Sequence, residues 1–87
     1  MQPTLYHLEY CPYCHRVLRA ADQLGLDLKL VEITQHPEAK DRLFKERGRG
    51  TVPVLGIPTK NGEVLLGESS DIIDWLRDNA SSLKKAS

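Results

Sequence analysis

The sequence lacks an excess of charge of either sign and lacks a long hydrophobic run. Its 87 residues carry twelve basic and twelve acidic side chains, whereas nucleic-acid and membrane-surface binders usually carry a basic excess. No stretch approaches the roughly 20 apolar residues of a membrane span, and no signal peptide precedes the first apolar run. We therefore expect a cytoplasmic protein that binds neither nucleic acid nor a membrane.

Cysteine is scarce as well, and the two present, Cys11 and Cys14, are separated by only two residues. One pair cannot staple a small secreted domain, and a reducing cytosol does not maintain a merely structural disulfide. A C-x-x-C pair in such a chain indicates thiol–disulfide exchange or metal binding. Two ordinary buried cysteines are a third interpretation, but it does not explain their position between a predicted strand and a predicted helix.

The metal interpretations need partners that the sequence hardly supplies. Cys11–His15 matches the C-x-x-C-H attachment pattern of c-type haem, yet Met1 is the only methionine, so the usual second axial ligand has no interior candidate. A structural zinc site takes about four ligands, and the chain has no second cysteine pair and only the scattered His7, His15 and His36. We therefore expect no bound metal.

Hydrophobic periodicity predicts an α/β fold in a single domain, 1–87, with its core at about 4–80 and a polar tail at 81–87. Strands are predicted at 5–8, 28–33, 51–57 and 63–66, and an Asn-Gly turn joins the last two as a hairpin. Helices are predicted to begin at Pro12, at Pro37 and around Glu68. The order β-α-β-α-β-β-α indicates a four-stranded mixed sheet flanked by helices.

Two helices carry more specific predictions about packing. In the first, Cys14 shares a helix face with apolar residues three, four and seven positions further on, so it is predicted to face the core. In the second, Ala39, Leu43 and Phe44 are predicted to point inward. Glu38 and Arg42 are expected to form an ion pair on the surface of this helix.

Cys11 falls where a strand ends and a helix begins, and the positive end of a helix stabilises an anion such as a thiolate. Cys14 lies about one turn inside the helix, within reach of the Cys11 sulfur and more buried. Cys11 is therefore predicted to attack and Cys14 to resolve, with Tyr13 forming an aromatic wall beside the exposed sulfur. His15 and Arg16 are candidates for additional positive charge.

Three segments together, Cys11–Cys14, Thr51–Pro53 and Gly67–Ile72, resemble the glutaredoxins of the thioredoxin-like fold, and the resemblance extends over about residues 4–79. It implies a glutathione-dependent oxidoreductase that reduces protein disulfides and glutathione mixed disulfides. Glutathione would be a co-substrate, with no permanently bound cofactor. The partners would be glutathione and disulfide-containing or glutathionylated proteins, and we expect a monomer.

The resemblance also assigns residues to roles. Cys11 would form the mixed disulfide with glutathione, and Cys14 would be the resolving thiol. Val52–Pro53 resembles the family's cis-proline turn, and Glu68–Ser69 resembles the pair that grips the γ-glutamyl end, although plain helix capping would also account for that pair. The glutathione-binding residues implied are Tyr13, Val52, Pro53, Glu68 and Ser69.

The chain departs from the family's pattern at Leu8, where many glutaredoxins carry a lysine. Arg47 or Arg49 are candidates to replace its charge. The Glu68–Ser69 pair and the run Val52–Leu55 are also similar to the N-terminal domain of glutathione transferases, but without the helical second domain we expect no transferase activity. The same motifs are compatible with a non-catalytic glutathione-binding module, an iron–sulfur carrier bridging two protomers, or a thioredoxin-type reductant.

Overall fold

A mixed four-stranded sheet with helices on both faces forms the protein. The computed structural model describes residues 2–48 and 50–85, with side chains as far as Ser81. The elements in chain order are β1 Thr4–His7, α1 Pro12–Gln23, β2 Lys29–Glu32, α2 Pro37–Arg47, β3 Val54–Thr59, β4 Gly62–Gly67 and α3 Ser69–Lys85. The strand order is β2-β1-β3-β4, with β1 and β2 parallel and the other pairs antiparallel. The predicted α/β fold is therefore confirmed. None of the described helices is long and apolar enough to cross a membrane.

The central strand β1 divides the core between the two faces of the sheet. Successive side chains of a strand point to opposite faces, so Leu5 joins the cluster beneath α1 and α3 while Tyr6 joins the one beneath α2. The buried residues of the first cluster are Leu5, Val17, Ala21, Leu28, Leu55, Ile72 and Leu76. Those of the second, smaller cluster are Tyr6, Ile33, Leu43 and Val54.

Helix α1 begins directly after Cys11, which is its N-cap, and Pro12 occupies the first turn, where a missing N–H leaves no bond unmade. The face predicted to be buried is buried, and it includes Cys14 and Val17. The chain turns after the helix at Gly25, whose φ of +70° favours glycine. The β1–α1 junction therefore carries Cys11 at the end of the sheet.

Two predictions for α2 are wrong. Phe44 is 51% exposed. Adjacent residues of a helix point in different directions, so with Leu43 buried in the small cluster, Phe44 points away from it. The Phe44 ring lies instead beside the Gly50 backbone, where a Cβ would be too close to it. Arg42 forms ion pairs with Glu46 and Glu63 instead of Glu38. The Glu63 carboxylate, on β4, is less exposed to solvent and therefore binds the guanidinium more strongly than a surface carboxylate does.

A polar cluster, Tyr6, Arg42 and Glu63, connects α2 to the sheet. The Tyr6 hydroxyl donates to Glu63 Oε1 at 2.8 Å, and Arg42 Nη1 donates to the Tyr6 hydroxyl at 3.1 Å and forms an ion pair with Glu63. Burial, with the bond to Glu63, raises the pKa of Tyr6 to about 12. Gly56 makes room for this arrangement, because a Cβ there would overlap the Glu63 carboxylate.

Two element boundaries differ from those predicted. Strand β3 begins at Val54, after Val52 and Pro53 have turned toward the cysteines. Helix α3 continues to Lys85, beyond the expected start of the polar tail. Its sequence contains neither glycine nor proline, so nothing in the chain interrupts the helix where the apolar pattern ends.

Candidate active site

The Cys11 thiol lies at the N-terminus of α1, half-buried and open to solvent on one side. Its backbone is extended, with φ −89° and ψ 115°, and its Sγ accepts a hydrogen bond from the Cys14 N–H at 3.4 Å. The first N–H groups of a helix have no partner within the helix. The sulfur therefore occupies the place where a capping oxygen usually sits, and that place favours an anion.

Cys14 is fully buried in the core side of α1. Burial is the main cause that raises the pKa of Cys14 to about 12; a hydrogen bond at Leu8 opposes this shift, and the nearby Cys11 sulfur adds to it. The free protein therefore holds one accessible thiol and one thiol that keeps its proton. Because the pKa rises from an ordinary value of 9.0, this contribution to the free energy of unfolding is complete below pH 9 and is lost as the pH rises toward 12.

The difference between the two thiols predicts selective alkylation. At pH 8 we expect iodoacetamide to modify Cys11 and to leave Cys14 unmodified in the reduced native protein, because only a solvated thiolate reacts. In denaturant both cysteines should react. Peptide mass spectrometry distinguishes the two positions, and modification of native Cys14 at a rate similar to that of Cys11 would contradict the prediction.

The segment before β3 faces the Cys11 sulfur. The peptide bond between Val52 and Pro53 is cis, as the resemblance implies. The Val52 carbonyl lies 4.0 Å from Cys11 Sγ, and Pro53 is buried. The sulfur of a small thiol that formed a disulfide with Cys11 would therefore lie beside the backbone of Val52.

A cleft of about 320 Å³ begins at this point and brings together all five residues expected to bind glutathione. Tyr13, which is 57% exposed, forms the wall next to the cysteines. Val52 and Pro53 line the cleft beside Cys11, and Glu68 and Ser69 line it at the N-terminus of α3. Three segments far apart in sequence thus line one cleft.

Two further residues, Arg47 and Thr51, line the same cleft. Thr51 belongs to the Thr51–Pro53 segment, so the sequence pointed to its neighbourhood but not to the residue itself. Arg47 is one of the two candidates for a missing charge; the other, Arg49, lies outside the described residues. Leu8, at the position of the family's lysine, packs against the small core cluster.

Glu68 holds an unusual backbone conformation at the end of the cleft. Its φ is +65°, and among the described residues other than glycine it alone has a positive φ. Such a conformation costs on the order of 1–3 kcal/mol and persists where the surroundings enforce it. Its carbonyl accepts a hydrogen bond from the Ile72 N–H at 3.0 Å. This strained residue therefore caps the N-terminus of α3 where the helix borders the cleft.

The residues after the C-x-x-C pair do not line the cleft as far as the structure describes it. The His15 ring lies with Nε2 2.7 Å from the Glu9 carbonyl, which holds the turn before Cys11 against α1. Arg16 is exposed. Within residues 2–48 and 50–85, no group of three or more histidine, cysteine or acidic side chains is arranged to hold a metal.

A wider groove of about 580 Å³ lies on the other side of Arg47, lined by Glu46, Glu63 and Leu65. Its described lining contains neither cysteine and none of the residues expected to bind glutathione. Two of its walls are carboxylates, which repel an anionic ligand. The smaller cleft next to Cys11 is therefore the candidate active site.

Comparison with known proteins agrees with this geometry. Residues 5–84 match the family model of the glutathione S-transferase N-terminal domain. Glutaredoxin 3 of Escherichia coli is 30% identical over 57 residues, which cover 66% of this chain and 69% of that protein.

Two solved structures are similar to the whole fold. The NrdH-redoxin of Escherichia coli, a glutaredoxin-like protein with a thioredoxin-like activity profile, is 27% identical with a TM-score of 0.69, over 87% of this chain and 95% of that one. A glutathione transferase of Bombyx mori is 29% identical with a TM-score of 0.71, over 90% of this chain. The match spans only 36% of the transferase's length. The cysteine pair, the cleft and these similarities together mean that the chain belongs to the glutathione S-transferase N-terminal domain family and is a glutaredoxin-like protein, with a fold that supports a thiol oxidoreductase-type role.

Proposed function

We propose that this protein is a glutathione-dependent thiol–disulfide oxidoreductase that reduces glutathione mixed disulfides and protein disulfides through Cys11. The observation that carries the proposal is the pairing of an accessible Cys11 at a helix N-terminus with an adjoining cleft. This cleft leads from Val52, beside the sulfur, to the N-terminus of α3. Its volume of about 320 Å³ and the polar residues Glu68 and Ser69 in its lining suit a tripeptide whose thiol points at Cys11.

In the first step the Cys11 thiolate attacks the glutathione sulfur of a mixed disulfide. The substrate's S–S bond breaks, its protein thiolate leaves and takes a proton, and a new S–S bond joins Cys11 to glutathione. A second glutathione thiolate then attacks the bound glutathione sulfur. Glutathione disulfide leaves and the Cys11 thiolate is restored. The net reaction converts one mixed disulfide and one free glutathione into the protein thiol and glutathione disulfide, and the attacking glutathione thiolate supplies the electron pair.

Cys14 offers a second route from the same intermediate, in which its thiolate attacks Cys11 and displaces glutathione. Its burial and raised pKa keep it protonated in the free protein and so favour release by a second glutathione. For a protein disulfide, Cys11 attack gives a mixed disulfide with the substrate, and either Cys14 or glutathione then completes the reduction. Cys14 is the proposed resolving thiol in this second case.

The cleft residues have proposed roles that follow from their chemistry. Val52 would present its backbone to the cysteinyl part of glutathione, and Tyr13 would cover that part from the solvent side. At the far end, the N–H groups that begin α3, with Ser69, would bind the γ-glutamyl carboxylate, and Glu68 would accept from its ammonium group. Thiolate formation and positioning supply the rate enhancement.

The direct test is reduction of the mixed disulfide between glutathione and 2-mercaptoethanol, coupled to glutathione reductase and NADPH. We expect turnover that rises with glutathione concentration and disappears after full alkylation of Cys11. A matched reaction with cystine, which lacks the γ-glutamyl group, should be slower. Failure of the protein to accelerate either reaction, with glutathione still binding, would replace this proposal by that of a glutathione-binding module.

A second candidate is a thioredoxin-type reductant. It is suggested by the structural match to an NrdH-redoxin with a thioredoxin-like activity profile, which covers 95% of the length of that protein. In this candidate function thioredoxin reductase would pass electrons to the disulfide of Cys11 and Cys14, and glutathione would not be needed. Replacing glutathione by thioredoxin reductase and NADPH, with insulin as the disulfide substrate, separates the two candidates. Efficient insulin reduction without glutathione would favour the second.

A further inference from the structure

The cleft next to the start of α3 contains an arginine, Arg47, whose place in the fold the sequence did not predict. The Arg47 guanidinium lies directly against the backbone of Gly67, and a Cβ at Gly67 would overlap it. Gly67 immediately precedes Glu68 and Ser69, which line the same end of the cleft. Arg47 therefore reaches from the last turn of α2 to the start of α3.

The Arg47 side chain is only partly satisfied by the protein. Its Nε is buried and has no hydrogen-bond partner, although Arg47 also lines the open cleft. A buried donor without an acceptor costs on the order of 1–3 kcal/mol, and more when it is charged. Because the Nε itself is closed to the surface, a ligand in the cleft would contact the guanidinium through its Nη groups.

Two positive elements meet at this end. Because the Ile72 N–H makes the first intrahelical bond of α3, to the Glu68 carbonyl, the three preceding N–H groups have no partner within the helix. A guanidinium presents a planar fork of donors that matches a carboxylate. One carboxylate can thus bind the helix N-terminus and Arg47 together.

Among the side chains known to line the cleft, Arg47 alone is basic. Leu8, at the position of the family's lysine, packs against the small core cluster and brings no charge. Because the Arg47 guanidinium lies against Gly67, its charge is next to the start of α3.

We propose that Arg47 is a specificity-determining residue that binds the α-carboxylate of the γ-glutamyl group, jointly with the N-terminus of α3. The inference rests on the proposed function, since it assumes a γ-glutamyl thiol in the cleft. It assigns to α2 a ligand contact that the segment Gly67–Ile72 was expected to supply alone.

The test measures, by isothermal titration calorimetry, the affinity of each protein variant for each ligand analogue. The ligands are S-methylglutathione, its analogue with 4-aminobutyrate in place of the γ-glutamyl group, and its glycinamide analogue. The first analogue lacks the γ-glutamyl carboxylate but keeps the ammonium, and the second lacks the glycine charge. The proteins are the wild type, Arg47→Gln and Lys45→Gln, the last removing an exposed cation from the same helix.

We expect Arg47→Gln to weaken S-methylglutathione binding by about tenfold, as expected for one charged hydrogen-bonded pair, and Lys45→Gln to change it by less than about twofold. With the aminobutyryl analogue, Arg47→Gln should cause no further loss, because the partner carboxylate is already absent. With the glycinamide analogue its effect should be undiminished. This pattern of coupling identifies the contact.

The opposite pattern overturns the proposal: an Arg47→Gln effect that vanishes with the glycinamide analogue would place the arginine on the glycine carboxylate instead. If the wild-type protein does not bind S-methylglutathione, both the proposed function and this inference fail. If the wild type binds, but the losses from Arg47→Gln and from the aminobutyryl analogue simply add, the inference alone fails. Gly67→Ala is a second variant that keeps the charge but displaces the guanidinium, and it should also weaken binding. Circular dichroism spectra of each variant check that the fold is retained.

Discussion

Replacing Cys11 with serine is expected to lower glutathione-dependent turnover by about a thousandfold or more, because a hydroxyl cannot replace the thiolate and loss of a nucleophile costs at least this order. Replacing Cys14 with serine should leave a large part of the activity toward small glutathione mixed disulfides. A second glutathione can release Cys11 in that variant. Steady-state turnover of both variants, coupled to glutathione reductase, measures the difference.

The two variants control each other, since each exchanges one sulfur for oxygen at the start of the same helix. Cys14→Ser should instead slow the reduction of a protein disulfide, where the resolving thiol has its own step. Equal loss in the two variants with the small substrate would mean that release through Cys14 is obligatory. Retained turnover in Cys11→Ser would contradict the assignment of the nucleophile.

The second large effect concerns the sheet that supports the cysteines. Leu5 is fully buried at the centre of β1, opposite Leu30 on β2 and Leu55 on β3. Leu5→Ala is expected to lower the free energy of unfolding by about 3 kcal/mol, from lost burial and the cavity left behind. Urea unfolding followed by circular dichroism gives the change from the shift in midpoint at constant slope.

Leu30→Ala is the matched control, because Leu30 is a strand leucine in register with Leu5 but is 51% exposed. Its effect should stay within about 0.5 kcal/mol. A Leu5→Ala change as small as that of the control would mean that the cluster beneath α1 and α3 repacks without a cavity. The division of the core by β1 would then carry little of the stability.

Sequence reasoning predicted the elements whose signals are local. Pro12 after Cys11 and the apolar face of α1 define the first helix, and the Asn61–Gly62 pair defines the hairpin, with Gly62 at φ +112°. The motifs also predicted which residues meet in the cleft, although their alignment came from a resemblance and not from periodicity. Strand and helix periodicity alone does not place Tyr13 near Ser69.

What the sequence did not predict depends on contacts between distant segments. Arg42 has a carboxylate four residues before it and another four residues after it, and its strongest partner, Glu63, is on a different element. Local spacing cannot reveal that choice. The sequence named Arg47 only as a candidate for a missing charge and did not predict its place against Gly67, because that place depends on how α2 lies across the sheet.

Helix α2 differs from the rest of the fold in how it is held. It has one buried residue, Leu43, and is otherwise attached through the cluster of Tyr6, Arg42 and Glu63, whereas α1 and α3 share the larger core. Segments with little buried apolar surface open locally at lower free energy than the whole molecule unfolds. We therefore expect α1, which begins at Cys11, to open less often than α2, which carries Arg47. The proposed nucleophile would then keep a fixed frame, while the proposed ligand contact at Arg47 would adjust around it.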